Sequence, residues 1–205
     1  MTSEDGKKPA SPEGERQVNT FYNLDYATGI MTNRASGKRV MVLATEAWVT
    51  LGSVLRKAFG EGAPTYMRQV GYSLGVSLGH NIIGRALSPS DTNRAILLVA
   101  RAAGWGKVTY SGDTEKWTRY TTRFEHCPSC AEDQTGTPPV CDLLAGVVNG
   151  IADEVFMKPH RVTETICGYK KDGVCEFLVE EIAEPTDEQK HWASYVLFPW
   201  LRRRR

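Results

Sequence analysis

An α+β fold, an antiparallel sheet with helices packed against it, is what three observations in this 205-residue chain predict. Apolar residues recur at helical spacing in four stretches. Two pairs of short segments, rich in β-branched and aromatic residues and broken by polar turns, read as hairpins. At 41% apolar and 24% charged residues the chain has enough hydrophobic surface for one full core.

The elements follow in order. Residues 1–17 are polar, contain Pro and Gly, and read as a disordered tail. The stretch from Phe21 to Asn33 reads as a short strand or a lead-in segment that packs on a partner subunit. Residues 38–48, with the apolar centre Val40-Met41-Val42-Leu43, read as a buried strand running into a helix over 45–59 that Gly60 stops. A helix from Pro64 carries Gly71, Gly75 and Gly79 on one face. Each glycine costs a helix about 1 kcal/mol, so three in line predict close approach of another helix, with Gly146 and Gly150 as the facing residues, or space for a ligand. A third helix starts near Ser88 or Ser90. A hairpin over 106–124 is predicted to turn at Ser111-Gly112-Asp113.

The remaining part holds most of the chemistry. Pro138 and Pro139 suit a helix start, and Val140, Leu143, Leu144, Val147, Val148, Ile151 and Val155 give a helical stripe that Pro159 ends. Cys141 falls in its first turn, where the positive end of the helix dipole favours a thiolate. Residues 161–169 and 174–182 form the second predicted hairpin, which brings Cys167 near Cys175. Glu164 and Cys167 are three apart, so on a regular strand they face opposite ways. They can share a site only at a strand end or where the strand yields to the turn. Three thiolates (Cys141, Cys167, Cys175) and one carboxylate (Glu164) make a closed four-ligand set, which suits structural zinc. Buried cysteines beside a surface glutamate are the plainer alternative.

These residues carry a resemblance. Phe124-Glu125, Pro139-Val140-Cys141, Gly150, Glu164 with Cys167, and Gly173 with Cys175 resemble the 4-vinyl reductase domain family. The similarity is greatest to the version that forms the aromatic-sensing domain of phenol-responsive bacterial activators. It implies zinc held by Cys141, Glu164, Cys167 and Cys175, and the α+β fold shared with subunits of vesicle-tethering complexes. It also implies a homodimer and one ligand-binding domain over 18–185, followed by an aromatic and basic segment over 186–205. In those sensors a histidine on the third helix and a tryptophan on the hairpin strand recognise the ligand's hydroxyl. The tryptophan's place is held here by Tyr120, and the histidine's place falls near Ala100. The resemblance therefore implies a pocket lined by Leu97, Ala100, Trp105, Trp117, Tyr120 and Phe124, for a small apolar or aromatic molecule other than phenol.

Cys127-Pro-Ser-Cys130 is a further motif, flanked by His126. A CxxC binds zinc, runs redox chemistry, or does neither. Paired with Cys167 and Cys175 it would make a four-cysteine site. With the Cys141/Glu164 set preferred, Cys127 and Cys130 are left as a free pair near the ligand site, able to form a reversible disulfide, as in redox regulators with this domain.

The net charge of +1 offers no general field for nucleic acid. No signal peptide or membrane-length apolar run is present, and an odd number of cysteines fits a metal site in a reducing cytoplasm. The terminal arginines are weak evidence for membrane contact. The first function class is a stand-alone sensor or carrier whose output passes through a partner protein. The second is binding or delivery of a tetrapyrrole, in which the absence of a dinucleotide fingerprint argues against hydride chemistry. The third is a cysteine enzyme of the thiazoline-carboxylate hydrolase kind. It ranks last, because no nucleophile–base–orienter set can be placed and no catalytic residue is assigned.

Overall fold

The computed structural model describes residues 21–34, 37–83, 89–130, 141–168 and 173–192. The chain divides into two compact units, Met1–Val42 and Leu43–Arg205.

The first unit contains a three-stranded antiparallel meander: β1 (Tyr22–Asp25), β2 (Ile30–Asn33) and β3 (Arg39–Val40). Asp25 builds the first turn. Its carboxylate accepts the Ala27 N–H at 2.9 Å and the Thr28 hydroxyl at 2.7 Å, and Gly29 takes the positive φ of 67° that follows. The buried strand expected around residues 40–43 is not there. β3 pairs with β2 only through Thr32↔Arg39 and Met31↔Val40, and Met41 and Val42 are each 76% exposed. The apolar run lacks a facing layer, so composition alone does not make it a core strand.

The second unit holds α1 (Thr45–Phe59), a 3₁₀ turn (Gly60–Gly62), α2 (Ala63–Ile83) and α3 (Pro89–Ala102). After these come β4 (Lys107–Gly112), β5 (Arg119–Glu125), α4 (Asp142–Phe156), β6 (His160–Ile166), β7 (Cys175–Glu181) and α5 (Asp187–Trp192). The four strands form one antiparallel sheet in the order β4-β5-β7-β6. On β5, Tyr120, Thr122 and Phe124 are buried and alternate with more accessible residues. On β7, Cys175, Phe177 and Val179 do the same. One face of the sheet therefore meets the core, and α4 packs there with Leu143, Leu144, Val147 and Val148 buried.

α2 lies along α4 through the predicted glycine faces. A Cβ at Gly71 would strike the Leu143 carbonyl, and one at Gly75 the Val147 carbonyl. Cβ atoms at Gly146 and Gly150 would strike the Arg68 and Tyr72 carbonyls in return. Backbone sits against backbone, which is why this face carries no side chains. The predicted cap at Ser88 lies outside the described residues, as do Pro138 and Pro139. The first hairpin turns later than expected. Gly112 is the last residue of β4, and the connection runs over 113–118. Asp113 holds it by accepting the Lys116 N–H at 3.0 Å and the Thr118 hydroxyl at 3.1 Å.

Candidate functional site

Two features stand on this sheet: a cluster of sulfurs at one end, and an apolar cavity between the sheet and the helices.

The cluster begins where β5 ends. After Glu125 the chain turns through His126, at a φ of 61°, into Cys127-Pro-Ser-Cys130. The Cys130 N–H donates to the Cys127 carbonyl at 3.1 Å, and the Cys127 N–H donates to the Gly173 carbonyl at 2.7 Å, so the loop is pinned to the start of β7. Cys141 is the N-cap of α4, one position earlier than predicted, and its carbonyl accepts the Ala145 N–H at 2.8 Å. Its sulfur thus sits at the positive helix end. Cys175 opens β7 opposite Phe124.

Cys167 and Glu164 reach the same place through a β-bulge. Glu164 pairs with Phe177 and Ile166 with Glu176, so Thr165 is an extra residue. The bulge breaks the strict alternation that would send Glu164 and Cys167 to opposite faces. Gly168 completes the approach, because a Cβ there would run into the backbone of Gly173 and Val174.

The result joins all five cysteines. Cys130 Sγ lies 3.2 Å from Cys141 Sγ, 3.2 Å from Cys175 Sγ and 3.8 Å from Cys167 Sγ. Cys141 and Cys175 are 3.4 Å apart, and Cys127 is 3.9 Å from Cys141. Zinc–sulfur bonds of about 2.3 Å imply tetrahedral edges of about 3.8 Å, and these spacings are of that order. Two four-ligand sets meet the distances needed to hold a metal ion: Cys127, Cys130, Cys141 and Cys175, all buried, and Cys141, Glu164, Cys167 and Cys175. Cys127 and Cys130 therefore belong to the same cluster rather than standing apart from it. Their spacing was legible, but the fold of the loop that brings them in was not.

The electrostatics call for a cation. The Cys141 thiol is pushed up, first by its hydrogen bond with Cys127 and then by that with Cys130. Cys127 is held down by hydrogen bonding from Cys130. Glu164 is raised to about 9, chiefly by burial and then by Cys167. One Glu164 oxygen, Oε1, is buried without a hydrogen-bond partner. A buried carboxylate oxygen beside sulfurs is costly unless a cation meets it.

The cavity, ≈ 750 Å³ counting the space at its mouth, is bounded by α3, α4, β4 and β5. Ala100, Trp105, Trp117, Tyr120 and Phe124 line it, while Leu97 packs against the core nearby. Sequence reasoning did not place Tyr110, Phe156, Asn93 and Thr122 in the pocket, and these line it too. Trp117 stacks on Phe156 at 5.6 Å and meets Tyr120 edge-on at 4.9 Å. Burial raises the phenols of Tyr110 and Tyr120, which keeps both neutral. Asn93 Oδ1 and Thr122 Oγ1 are buried without partners on this otherwise apolar wall.

A separate buried network locks β6 to the helices. Asp153 accepts the Tyr72 hydroxyl at 2.9 Å and the His160 backbone N–H at 2.8 Å, and its Oδ1 lies 3.1 Å from His160 Nδ1. The Asn149 and Gln189 amides donate to the His160 carbonyl at 3.1 and 2.9 Å.

Comparison with known proteins gives the same outline. The structure is similar to the phenol-responsive sensory domain of the transcription activator PoxR, with a TM-score of 0.70 at 15% identity over 91% of this chain and 99% of that one. It is similar to a trafficking protein particle complex subunit 3 from Naegleria fowleri, covalently bound to palmitic acid, with a TM-score of 0.52 at 18% identity over 70% and 95%. A vinyl-4-reductase family protein from Methanocaldococcus jannaschii aligns at a TM-score of 0.46 and 17% identity over 70% and 84%. No curated protein matches the sequence. The family model of the 4-vinyl reductase domain matches residues 121–181, a span that holds both metal-ligand sets, and the chain thus carries a domain of the 4-vinyl reductase family.

Proposed function

We propose that this chain is a small-molecule-binding module, a sensor or carrier, whose ligand occupies the cavity between α3, α4 and the β4–β5 hairpin. One observation carries the reading: an apolar space of ≈ 750 Å³ walled by aromatic rings, with two unpartnered polar atoms, Asn93 Oδ1 and Thr122 Oγ1. That volume and composition are typical of small-ligand pockets. The orphaned oxygens ask for a ligand that is mostly apolar and brings one or two hydrogen-bond donors. The phenol described for one similar structure and the palmitic acid described for the other support an apolar occupant. Ala100 lies on the wall where the resemblance would put a histidine, so recognition falls to Asn93 and Thr122 instead.

The cysteine cluster is read as structural zinc, since thiolate-rich closed sets suit that ion. The ligands would come from the loop after β5, the start of α4, and the facing ends of β6 and β7. When bound, zinc would supply a crosslink among these elements. The protein's own part is to hold the sulfurs together through the Thr165 bulge and the Cys127–Gly173 hydrogen bond.

A homodimer belongs to the same proposal. Leu51 and Val54 of α1 and Tyr66, Val70 and Leu74 of α2 are exposed apolar residues, and the last three recur every fourth position.

The test is titration with phenol, indole and palmitate, followed by tryptophan fluorescence, since Trp105 and Trp117 line the cavity. Saturable binding of at least one, abolished by Ala100→Phe at unchanged metal content, is expected. Absence of saturable binding with all three, and of any organic mass in native mass spectra, would remove the reading.

A further inference from the structure

The six ligands of the cluster outnumber what one tetrahedral ion uses. The two four-ligand sets are not alternatives picked from separate places: they share Cys141 and Cys175, whose sulfurs are 3.4 Å apart. Each set then has two residues of its own. Cys127 and Cys130 form a CxxC chelate on one side, and Glu164 with Cys167 forms a chelate across the bulge on the other. Two tetrahedra that share an edge need six ligands in this division, two common and two private to each.

We propose that the cluster is a binuclear zinc centre in which the thiolates of Cys141 and Cys175 bridge the two ions. Cys127 and Cys130 complete the first ion's shell; Glu164 and Cys167 complete the second's.

Charge favours the pair. A single zinc surrounded by five thiolates and a carboxylate leaves a net charge of about −4, using +2 for the ion. Avoiding that would require two of these groups to stay protonated in a buried place. Two zinc ions bring the same six groups to about −2, the value of an ordinary four-thiolate zinc site. The shared residues also suit bridging. Cys141 and Cys175 are both fully buried, and Cys141 lies at the positive end of α4. Cys130 Sγ, 3.8 Å from Cys167 Sγ, makes the private ligands of the two sides contiguous. The unpartnered Glu164 Oε1 is accounted for by the second ion, which the CxxC set alone would leave unexplained.

The inference rests on the metal reading of the cluster and goes beyond it in stoichiometry and bridging. Zinc per chain is measured by elemental analysis and native mass spectrometry of the full protein. Two per chain are expected, falling to one in Cys130→Ser and to one in Cys167→Ser. X-ray absorption of the unaltered protein should show a zinc–zinc vector. This readout does not depend on Cys141→Ser remaining folded. One zinc per chain overturns the binuclear centre and leaves the structural-zinc reading standing. No zinc overturns both. Two ions without a metal–metal vector overturn the bridging.

Discussion

Cys141 at the start of α4 and Cys175 at the start of β7 bring their sulfurs to 3.4 Å of each other, from positions 34 residues apart in the chain. A helix and a strand share no hydrogen-bond ladder, so a metal held between them would act as a crosslink. Cys175→Ser is therefore expected to lose metal and tertiary structure together. Structural zinc binding is worth on the order of 10 kcal/mol, comparable to the whole stability of an ordinary domain. Circular dichroism melting and zinc content of the purified variant check this. A cooperative transition at the unaltered temperature with full zinc would refute it.

The α2–α4 crossing makes a sharper prediction, because its glycines are not equivalent. At Gly75 an added methyl meets the Val147 carbonyl and the Gly150 Cα, both backbone. At Gly79 the nearest atoms are Glu154 Cβ at 2.9 Å and Cγ at 3.1 Å, which belong to a side chain. Gly75→Ala should cost about 3 kcal/mol through overpacking. Gly79→Ala should cost far less, because a gain of about 1 kcal/mol in helix propensity offsets the adjustment. Urea unfolding of the two variants measures the difference, and equal midpoints would show that the helices separate freely.

This crossing was readable in the sequence, since glycines every four residues have few other uses. The α4 stripe and both hairpins were readable for the same reason: periodicity reports which face is buried. The metal cluster was readable only in part. The grouping of Cys141, Cys167 and Cys175 follows from a helix start and a hairpin. The inclusion of Glu164 depends on Thr165 being an extra residue, which no local pattern announces. Cys127 and Cys130 enter through a backbone hydrogen bond from Cys127 to Gly173, a contact distant in the chain. Asn93 and Thr122 carried no signal at all, because what marks them is the absence of a partner in a closed wall. The run Met41-Val42-Leu43 misled in the opposite direction, since apolar composition does not supply a neighbouring layer.

Self-association through α1 and α2 predicts a clean separation of assembly from folding. Tyr66, Val70 and Leu74 are all about half-exposed, and Phe59 packs on Tyr66 with ring centroids 4.7 Å apart. Val70→Glu combined with Leu74→Glu places two like charges in such a face at little cost to the monomer. Light scattering after size exclusion should report a dimer for the unaltered protein and a monomer for the variant, with zinc content the same. A monomer in both cases would show that this stripe is not a self-association surface.

Asp153 gives the pH dependence its sign. Burial raises its carboxyl from the ordinary 3.8 to about 6, with hydrogen bonding to His160 acting in the opposite direction. Below pH 3.8 the group is protonated in both the folded and the unfolded chain, and its contribution to stability is fully present. Between 3.8 and about 6 only the folded protein keeps the proton, so stability falls as pH rises through that window. The loss above it amounts to about 3 kcal/mol. Metal release in acid acts in the other direction, so the quantity to follow is the difference between two proteins. Asp153→Asn cannot titrate but keeps a carbonyl oxygen for the His160 N–H. Its stability relative to the unaltered protein should rise by about 3 kcal/mol between about pH 4 and about pH 7. Parallel urea-unfolding profiles across that range would show that Asp153 stays ionised in its buried site.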